Sequence, residues 1–369
     1  MGYDGNNATN TAPRGTGGAG RRHRRPRAGS RARRIAGAIA LVAAVCAGGL
    51  GIAYAQLNGN LRSVDIAGAL GKDRPDNVDN GSQDILVLGS DSRAGENGKY
   101  GRDEGSARSD TAMIVHIRGD RRKAAVVSIP RDTLVDRPIC TTRTGGTIPA
   151  ARRTMFNEAY AVGGPACAVK TVESMTGIRM DHYVEIDFSG FQKLIDKLGG
   201  VEVTTAKNIQ DKRSHLDLAA GTHLLTGEQS LALVRTRHGV GDGSDLGRIK
   251  LQQAFVKALF GRVRSLGLLG NPAKLYGIAD VATRVVTTDS DLASIDKLIG
   301  FANSLTSLDA RGLEAMTLPV TLDSKDPNRV VPLAGAAQLW NALHDDKPVP
   351  SSAFRGSIAT TTQADGAVK

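Results

Sequence analysis

Three short runs of branched apolar residues, DILVLG (84–89), TAMIVHI (111–117) and AAVVSI (124–129), decide how this chain folds. Runs of this length and composition are typical of buried β-strands. The segment RGDRRK (118–123) is short and polar, which predicts that the second and third strands pair as a hairpin. If the first strand is also antiparallel to the second, the C-terminal ends of the first and third strands meet the N-terminal end of the second.

Charged residues stand at all three of these strand ends. GSDSR carries Asp91, ARSD carries Arg108 and Asp110, and IPRD carries Arg131 and Asp132. Crevices at strand ends are where α/β folds bind their ligands, so this pattern predicts a binding site. A solvated charge or a surface ion pair is the commoner role for each residue alone, and the prediction rests on the joint pattern.

A second group of polar residues follows further along the chain. Arg235 and Arg237 in VRTRH are two positions apart, so on an extended segment their side chains face the same way. Arg248 and Gln252 in DGSDLGRIKLQQ are four positions apart, which places both on one face of a helix. The free N–H groups of that helix's first turn favour anions.

These residue types fit a pyrophosphate and a metal ion. The planar guanidinium group of arginine pairs two phosphate oxygens at once. Carboxylates such as those of Asp91 and Asp110 suit Mg²⁺, which prefers oxygen ligands shared with substrate phosphates. Ser244 or Asp245 can cap the helix that carries Arg248.

The remaining pattern predicts one α/β domain over residues 83–348. Thr226 and Gln229 have the spacing of a capping box at the start of a short helix. Further strands are predicted at 182–188 and 201–205, and helices at 157–176, 190–200, 246–266 and 291–307.

The net charge of +11 is concentrated at the N-terminus, where residues 1–34 hold nine arginines and a single acid, Asp4. Nine positive charges less one negative account for +8, so the rest of the chain is nearly balanced and no nucleic-acid partner is predicted. Residues 1–34 have almost no large apolar side chains and are predicted to be a disordered cytoplasmic tail.

Residues 35–57 carry no charge and are long enough to cross a bilayer as one helix of about 20 residues. Arginines precede this run, so the positive-inside rule places the N-terminus in the cytoplasm and the rest of this single-pass membrane protein outside the cell. A cleaved secretory signal is a second interpretation, and a buried core helix is a third that the adjacent arginines disfavour. Residues 58–82 are interpreted as a stalk and 349–369 as a flexible tail.

The three cysteines fit that topology. Cys46 lies within the predicted span, whereas Cys140 and Cys167 fall in the external part, where disulfides persist. A Cys140–Cys167 bridge is therefore predicted, and two free thiols are the alternative.

Six strings occur in order over about residues 84–255: DILVLGSDSR, RSDTAMIV, SIPRDT, NEAYAVGGP, DHYVEIDFSGF and LVRTRHGVGDGSDLGRIKLQQ. Behind one predicted membrane helix, they closely resemble the LytR-CpsA-Psr family of cell-envelope phosphotransferases, in its actinobacterial form. The resemblance implies a three-layer α/β/α fold, with a mixed central sheet flanked by helices and an apolar tunnel for a lipid carrier.

The resemblance also implies an activity that depends on Mg²⁺ or Mn²⁺. A glycopolymer such as teichoic acid, capsule or arabinogalactan would pass from a polyprenyl-pyrophosphate carrier to peptidoglycan through a phosphodiester link. The metal would lie on Asp91 and Asp110. The pyrophosphate-binding residues would be Arg108, Arg131, Arg235, Arg237, Arg248 and Gln252. The catalytic residues would be Asp91, Asp110, Arg131 and Asp245, with Asp110 and Asp245 as candidates for the general base.

Two functions of other classes fit parts of the same pattern. A module that only binds polyprenyl phosphates would use the same arginines without needing the Mg²⁺ carboxylates. A transcriptional attenuator or regulator would rest on the arginine-rich tail, but an external domain cannot reach DNA.

The predicted topology is tested by a reporter fused after Lys369. A reporter that is active only when exported should be active at this position, because the span carries the domain out of the cell. Activity from a cytoplasmic reporter at the same position would contradict the topology and the external function together.

Overall fold

Seven strands form the central sheet of the computed structural model. They are β1 (Arg62–Val64), β2 (Gln83–Ser90), β3 (Ser109–Ile117), β4 (Ala124–Ile129), β9 (His182–Asp187), β14 (Val286–Asp289) and β15 (Leu313–Thr317). Their order in space is β1–β14–β9–β2–β3–β4–β15, with parallel and antiparallel pairs mixed. The structure describes residues 48–90, 109–142, 145–237, 245–309 and 312–361, apart from the side chains of Asp110, Leu269 and Thr361.

Smaller strand pairs and helices surround the sheet. The pairs are β5 (Leu134–Arg137) with β8 (Ala151–Met155), β6 (Cys140–Thr141) with β7 (Thr147–Ile148), β10 (Val201–Thr205) with β13 (Gly221–Leu225), β11 (Ile209–Asp211) with β12 (Leu216–Leu218), and β16 (Val320–Leu322) with β17 (Val330–Pro332). The helices are α1 (48–60), α2 (Ile66–Leu70), α3 (Phe156–Thr176), α4 (Phe188–Lys197), α5 (Gly227–Arg235), α6 (Asp245–Ser265), α7 (Pro272–Val285), α8 (Ile295–Ser304), α9 (Gly335–His344) and α10 (Ile358–Thr361). Short 3₁₀ turns lie at Leu268–Gly270, Ser290–Leu292 and Ser351–Phe354.

The predicted hairpin of the second and third strands is confirmed, and the first strand is also antiparallel to the second. Ser90 of β2 lies opposite Ser109 of β3, and Ala112 of β3 lies opposite Ile129 of β4. The end of β2, the start of β3 and the end of β4 therefore share one edge of the sheet. The α/β class with a mixed sheet and flanking helices is confirmed as well.

Successive side chains of the central strands bury themselves on opposite faces, because the strand repeat is two residues. On one face Leu86 and Ile114 pack in a core with Phe156 of α3 and Trp340 of α9. The other face carries Ile85, Met113 and Val126, against which the partly buried Val256 and Phe260 of α6 and Phe301 of α8 pack. Helices thus cover both faces of the sheet.

A third core lies beside the sheet in a lobe made of the pairs β10/β13 and β11/β12 together with α4, α5, α6 and α7. Its fully buried side chains include Ile195, Leu225, Leu233 and Leu251. The predicted capping box at the start of α5 is confirmed, because the Thr226 side chain accepts from Gln229 N while the Gln229 side chain accepts from Thr226 N. This lobe holds the helices that carry the second group of predicted site residues.

The far ends of the central strands are tied together by buried charges. Nδ1 of His116 lies 2.9 Å from Oδ1 of Asp84, and its Nε2 lies 3.2 Å from Oδ1 of Asp346. Burial opposes the charged ring, but the two carboxylates outweigh it and raise the pKa of His116. The network fastens the segment after α9 to the sheet.

The domain boundaries differ from those predicted at both ends. The predicted stalk includes β1, which pairs with β14, and α2, whose Ile66 and Leu70 are buried in the main core. The predicted flexible tail includes Ala353 and Ala359, which are buried in the same core. These short elements carry too few apolar residues to reveal themselves without the surfaces they cover.

No helix within the described residues is long and apolar enough to cross a membrane. Residues 35–47, which make up most of the predicted span, lie outside those residues, as does the predicted tail 1–34.

The predicted disulfide is confirmed, since Cys140 and Cys167 are bonded with their Cα atoms 5.4 Å apart. Cys140 begins β6 and Cys167 lies in α3, so the bond fixes this strand pair on the helix. Both cysteines are buried with Ala159 in a small apolar cluster.

Replacing both bonded cysteines with alanine should lower the free energy of unfolding by about 3 to 4 kcal/mol, because the bridge closes a loop of 27 residues. Urea denaturation of the oxidised protein measures the change, and Cys46→Ala serves as the control that leaves the bridge intact. Mass mapping that finds both thiols free in exported protein would contradict the bridge.

Candidate functional site

Three guanidinium groups converge on the carboxylate of Asp245. Measured to Oδ1 of Asp245, Nη2 of Arg248 lies at 2.5 Å, Nη2 of Arg237 at 3.7 Å and Nε of Arg131 at 4.0 Å. Both carboxylate oxygens are buried, and within the described part of the chain neither has a partner with hydrogen-bond geometry. The carboxylate thus offsets three cations through ion pairing.

The turn after β4 carries Arg131 to this cluster. Thr133 closes the turn, since its backbone N–H and its hydroxyl both donate to the Pro130 carbonyl, at 3.0 and 2.6 Å. Nε of Arg131 lies 3.5 Å from Oδ2 of Asp132, so the guanidinium group stands between Asp132 and Asp245. The ion pairs with Asp245 therefore join the sheet edge that carries Arg131 to the segment that carries Arg237 and to α6, which carries Arg248.

Arg235 and Arg237 lie where α5 ends. The helix continues through Arg235, so the extended conformation predicted for this segment is wrong there, whereas Thr236 is extended. The Arg235 guanidinium stacks over the Phe188 ring, 4.7 Å from its centre, in a cation–π contact. Arg237 is held through its backbone, whose N–H donates to Oδ2 of Asp211 at 3.0 Å.

Arg248 and Gln252 lie one turn apart on α6, as predicted, and both are buried. Nε2 of Gln252 donates to Oγ1 of Thr111 at 3.0 Å and to the Val234 carbonyl at 2.9 Å. Its amide nitrogen therefore joins α6 to β3 and to α5. The side chain is left with its carbonyl oxygen for a ligand, which can accept from a hydroxyl but cannot donate to a phosphate.

A cavity of about 350 Å³ opens beside the cluster. It is lined by Thr111, Phe188, Asp211, Arg213, Ser214, Val234, Arg235, Arg237, Arg248 and Gln252. Four of these ten side chains are arginines and one is an acid, so the cavity is strongly cationic and suited to an anionic ligand.

The β11–β12 hairpin brings to this cavity residues that were not predicted from the sequence, among them Asp211, Arg213 and Ser214. Oδ1 of Asp211 accepts from the N–H of Arg213 at 2.9 Å, while its Oδ2 accepts from the N–H of Arg237. The hydroxyls of Ser214 and Thr236 are 2.7 Å apart. One buried carboxylate therefore sets the spacing between the hairpin turn and the end of α5, and nothing in the local sequence pattern signals that pairing.

A polar network extends from the same sheet edge into the main core. The hydroxyls of Tyr160 and Tyr183 donate to the two carboxylate oxygens of Glu185, each at 2.5 Å. Burial, followed by the charge of Glu185, raises the pKa of Tyr183 well above its ordinary value. The Tyr160 hydroxyl also lies 3.5 Å from Oγ of Ser90 at the end of β2.

Three predicted site residues cannot be placed among these contacts. Asp91 and Arg108 lie outside the described residues, and Asp110 belongs to β3 with its side chain not described. Within the described part of the chain, no group of three or more His, Cys, Asp or Glu side chains could hold a metal ion. The backbone register nevertheless pairs Ser90 with Ser109, the residues that precede Asp91 and Asp110.

A LytR_cpsA_psr family model matches residues 53–345 of the chain. The cell wall biosynthesis protein LcpA of Corynebacterium glutamicum is 34% identical over 270 residues, or 66% of this chain and 51% of that protein. The chain thus spans about half the length of this curated relative.

The protein TagT is similar to this chain in both sequence and structure. The polyisoprenyl-teichoic acid–peptidoglycan teichoic acid transferase TagT of Bacillus subtilis is 32% identical over 288 residues, which covers 75% of this chain and 83% of that protein. A solved structure of TagT bound to LIIa-WTA is similar with a TM-score of 0.56 and 25% identity, covering 77% of this chain and 98% of that one.

Asp245→Asn should lower the free energy of unfolding of the ligand-free protein by about 1 to 3 kcal/mol, because three neighbouring cations lose their counter-charge. Inorganic pyrophosphate should raise the thermal midpoint of this variant more than that of the wild type, since an anion replaces the lost carboxylate. Thermal denaturation with and without pyrophosphate measures both effects. Asp345→Asn, at an exposed pair with Lys347, is the control, and an equal pyrophosphate shift in all three proteins would contradict the counter-charge role.

Proposed function

This chain belongs to the LytR-CpsA-Psr family, and on that basis we propose that it transfers a glycopolymer from a polyprenyl-pyrophosphate carrier to peptidoglycan. The product is a phosphodiester between the polymer and a peptidoglycan hydroxyl. The observation that carries the proposal is the meeting of Arg131, Arg237 and Arg248 at Asp245, beside an arginine-lined cavity. The similarity to TagT, a teichoic acid transferase by name, supports the substrate class.

The proposed step breaks and forms one bond at phosphorus. A peptidoglycan hydroxyl oxygen attacks the phosphorus that carries the sugar, and the bond from that phosphorus to the bridging oxygen breaks. The hydroxyl proton passes to a base, and the electron pair of the broken bond leaves with the polyprenyl phosphate. Negative charge therefore grows on the leaving phosphate, where preorganised guanidinium groups stabilise it most.

The arginines of the cavity have different parts in this proposal. Arg237 and Arg248 already share the Asp245 carboxylate and can exchange it for phosphate oxygens without moving far. Arg235 lies over the Phe188 ring, and this cation–π contact holds its guanidinium group at the cavity wall. Gln252 holds α6 to β3 and α5, and its oxygen is suited to accept from a substrate hydroxyl.

Asp245 fits the role of an organising carboxylate better than that of the general base. Its Oδ1 lies within 4.0 Å of three guanidinium groups, so it holds them around one point. Asp110 remains the proposed base.

Mg²⁺ or Mn²⁺ is part of the proposal, with Asp91 and Asp110 as the residues that would hold it. Two points support this assignment: Asp91 and Asp110 directly follow Ser90 and Ser109, which are paired in the sheet, and carboxylates are the donors that Mg²⁺ prefers. The bound metal would neutralise charge on the phosphate oxygens.

The proposed location is the outer face of the cell membrane, with residues 1–34 in the cytoplasm and the catalytic domain outside. The bilayer, the lipid-linked polymer and peptidoglycan are then the partners, and nucleic acid is not. The uncharged run before Tyr54 and the basic tail support this placement.

Arg131→Ala should lower transfer at least about a hundredfold, the scale seen when one preorganised donor is lost. Arg131→Lys should recover only part of the activity, because a point charge does not reproduce the guanidinium fork. The assay uses the full-length protein with Mg²⁺, a lipid-linked glycopolymer and peptidoglycan, and measures the polymer joined to peptidoglycan.

Arg122→Ala is the matched control, since Arg122 is an exposed arginine at the opposite end of β4. Normal transfer by folded Arg131→Ala would contradict the site. Binding of the lipid-linked polymer without any transfer by the wild-type protein would instead favour a binding module.

A further inference from the structure

The segment that leads into the domain, residues 54–60 of α1, is fastened to α7 and α8 by side-chain hydrogen bonds. The Tyr54 hydroxyl donates to Oδ2 of Asp296 at 2.7 Å. Nδ2 of Asn60 donates to Oδ1 of Asp280 at 3.1 Å, and Gln56 reaches the same oxygen at 3.4 Å. More than 200 residues of chain separate each pair, so these contacts are products of the tertiary fold.

Two more contacts hold this segment in a fixed position. Oδ1 of Asn58 accepts from the N–H of Ile295, the first residue of α8, at 3.2 Å. Four residues after α1 ends, Val64 of β1 pairs with Asp289 of β14 in the central sheet. The chain therefore enters the fold as a fixed element rather than as a linker.

These contacts limit where a membrane span can end. Tyr54 and Gln56 are bonded to the domain, so a span would have to end before Tyr54. The uncharged residues 35–53 still suffice, because about 17 to 25 residues cross a bilayer. With no flexible stalk after it, the surface around Tyr54 would lie at the lipid headgroups.

The exposed side of α8 suits such a position. Ile299 follows Asp296, the partner of Tyr54, by three residues and therefore lies on the same side of the helix. The Ile299 side chain is 53% exposed and that of Tyr54 is 43% exposed. Tyrosine with one apolar and one hydrogen-bonded end is the residue type that collects at membrane interfaces.

We infer that residues 54–60 are a clamp that holds the α8 surface, with Ile299 and Tyr54, against the lipid bilayer. This inference rests on the membrane anchor of the proposed function. The clamp would also set the distance of the cavity from the bilayer. Asp280 lies on α7, and Ile278 of the same helix packs in the apolar lobe that includes the cavity residue Val234. A lipid-linked substrate would then reach the cavity while its lipid stays close to the bilayer.

The test uses full-length protein in proteoliposomes, with Cys46→Ser as background and one new cysteine for a fluorescent label. Ile299→Cys places the label on the proposed membrane surface. Leu322→Cys is the matched control, because Leu322 is equally exposed at 53% and belongs to β16, which follows β15 at the opposite edge of the sheet. Brominated phosphatidylcholine should lower emission from position 299 at least about twofold, since quenching requires the label to reach the headgroup region. Emission from position 322 should not change.

The clamp itself is tested by combining Tyr54→Phe with Asn60→Ala in the Ile299→Cys protein. Quenching at position 299 should fall towards the value at 322, while the protein still floats with the vesicles. Asn303→Ala, an exposed asparagine on α8, is the control that should leave quenching unchanged.

The outcomes separate this inference from the anchor on which it rests. Equal quenching at both positions in protein that floats with the vesicles would overturn the membrane-facing surface alone. Unchanged quenching at 299 in the protein with Tyr54→Phe and Asn60→Ala would overturn the clamp. Protein that does not float with the vesicles would overturn the anchor and the inference together.

Discussion

The antiparallel pairing of β3 with both β2 and β4 is the constraint on which the rest of the structure depends. It turns the chain back twice, so that the end of β2, the start of β3 and the end of β4 lie at one edge. Buried side chains on both faces of these strands hold the register, because a slip of one residue would move every apolar side chain to the opposite face. The turn that carries Arg131 leaves this edge, so the position of the strands places Arg131 near α6.

Several arginines come together at that edge and repel one another, and two acidic residues counteract this repulsion. Asp245 offsets Arg131, Arg237 and Arg248 directly, while Asp211 acts on the backbone and fixes the positions from which Arg213 and Arg237 start. Among the residues that the structure describes, the Asp245 oxygens make ion pairs without aligned hydrogen bonds. Such a cluster can accept a phosphate in place of a carboxylate at low structural cost, which is the property that a pyrophosphate-binding site requires.

The polar groups that are not near the cavity serve a different purpose. The Asp84–His116–Asp346 network and the contacts of residues 54–60 join segments from opposite ends of the chain to the same sheet. These contacts attach residues 54–60 and the segment after α9 to the rest of the fold. The domain is therefore larger than the stretch with obvious strand and helix patterns.

The sequence by itself determined the features that depend on local patterns. Apolar runs indicated β2, β3 and β4, the spacing of Thr226 and Gln229 indicated the start of α5, and the short loop 118–123 indicated a hairpin. The predicted external position of Cys140 and Cys167 favoured their bridge without excluding free thiols. Only the tertiary structure decided that Asp245 would be the common partner of arginines as far away as Arg131, that Asp211 would bring Arg213 to the cavity, and that Arg62–Val64 would join the sheet. The physical reason is that periodicity reports which side of its own element a residue faces, whereas an ion pair across 114 residues depends on where two separate elements are placed.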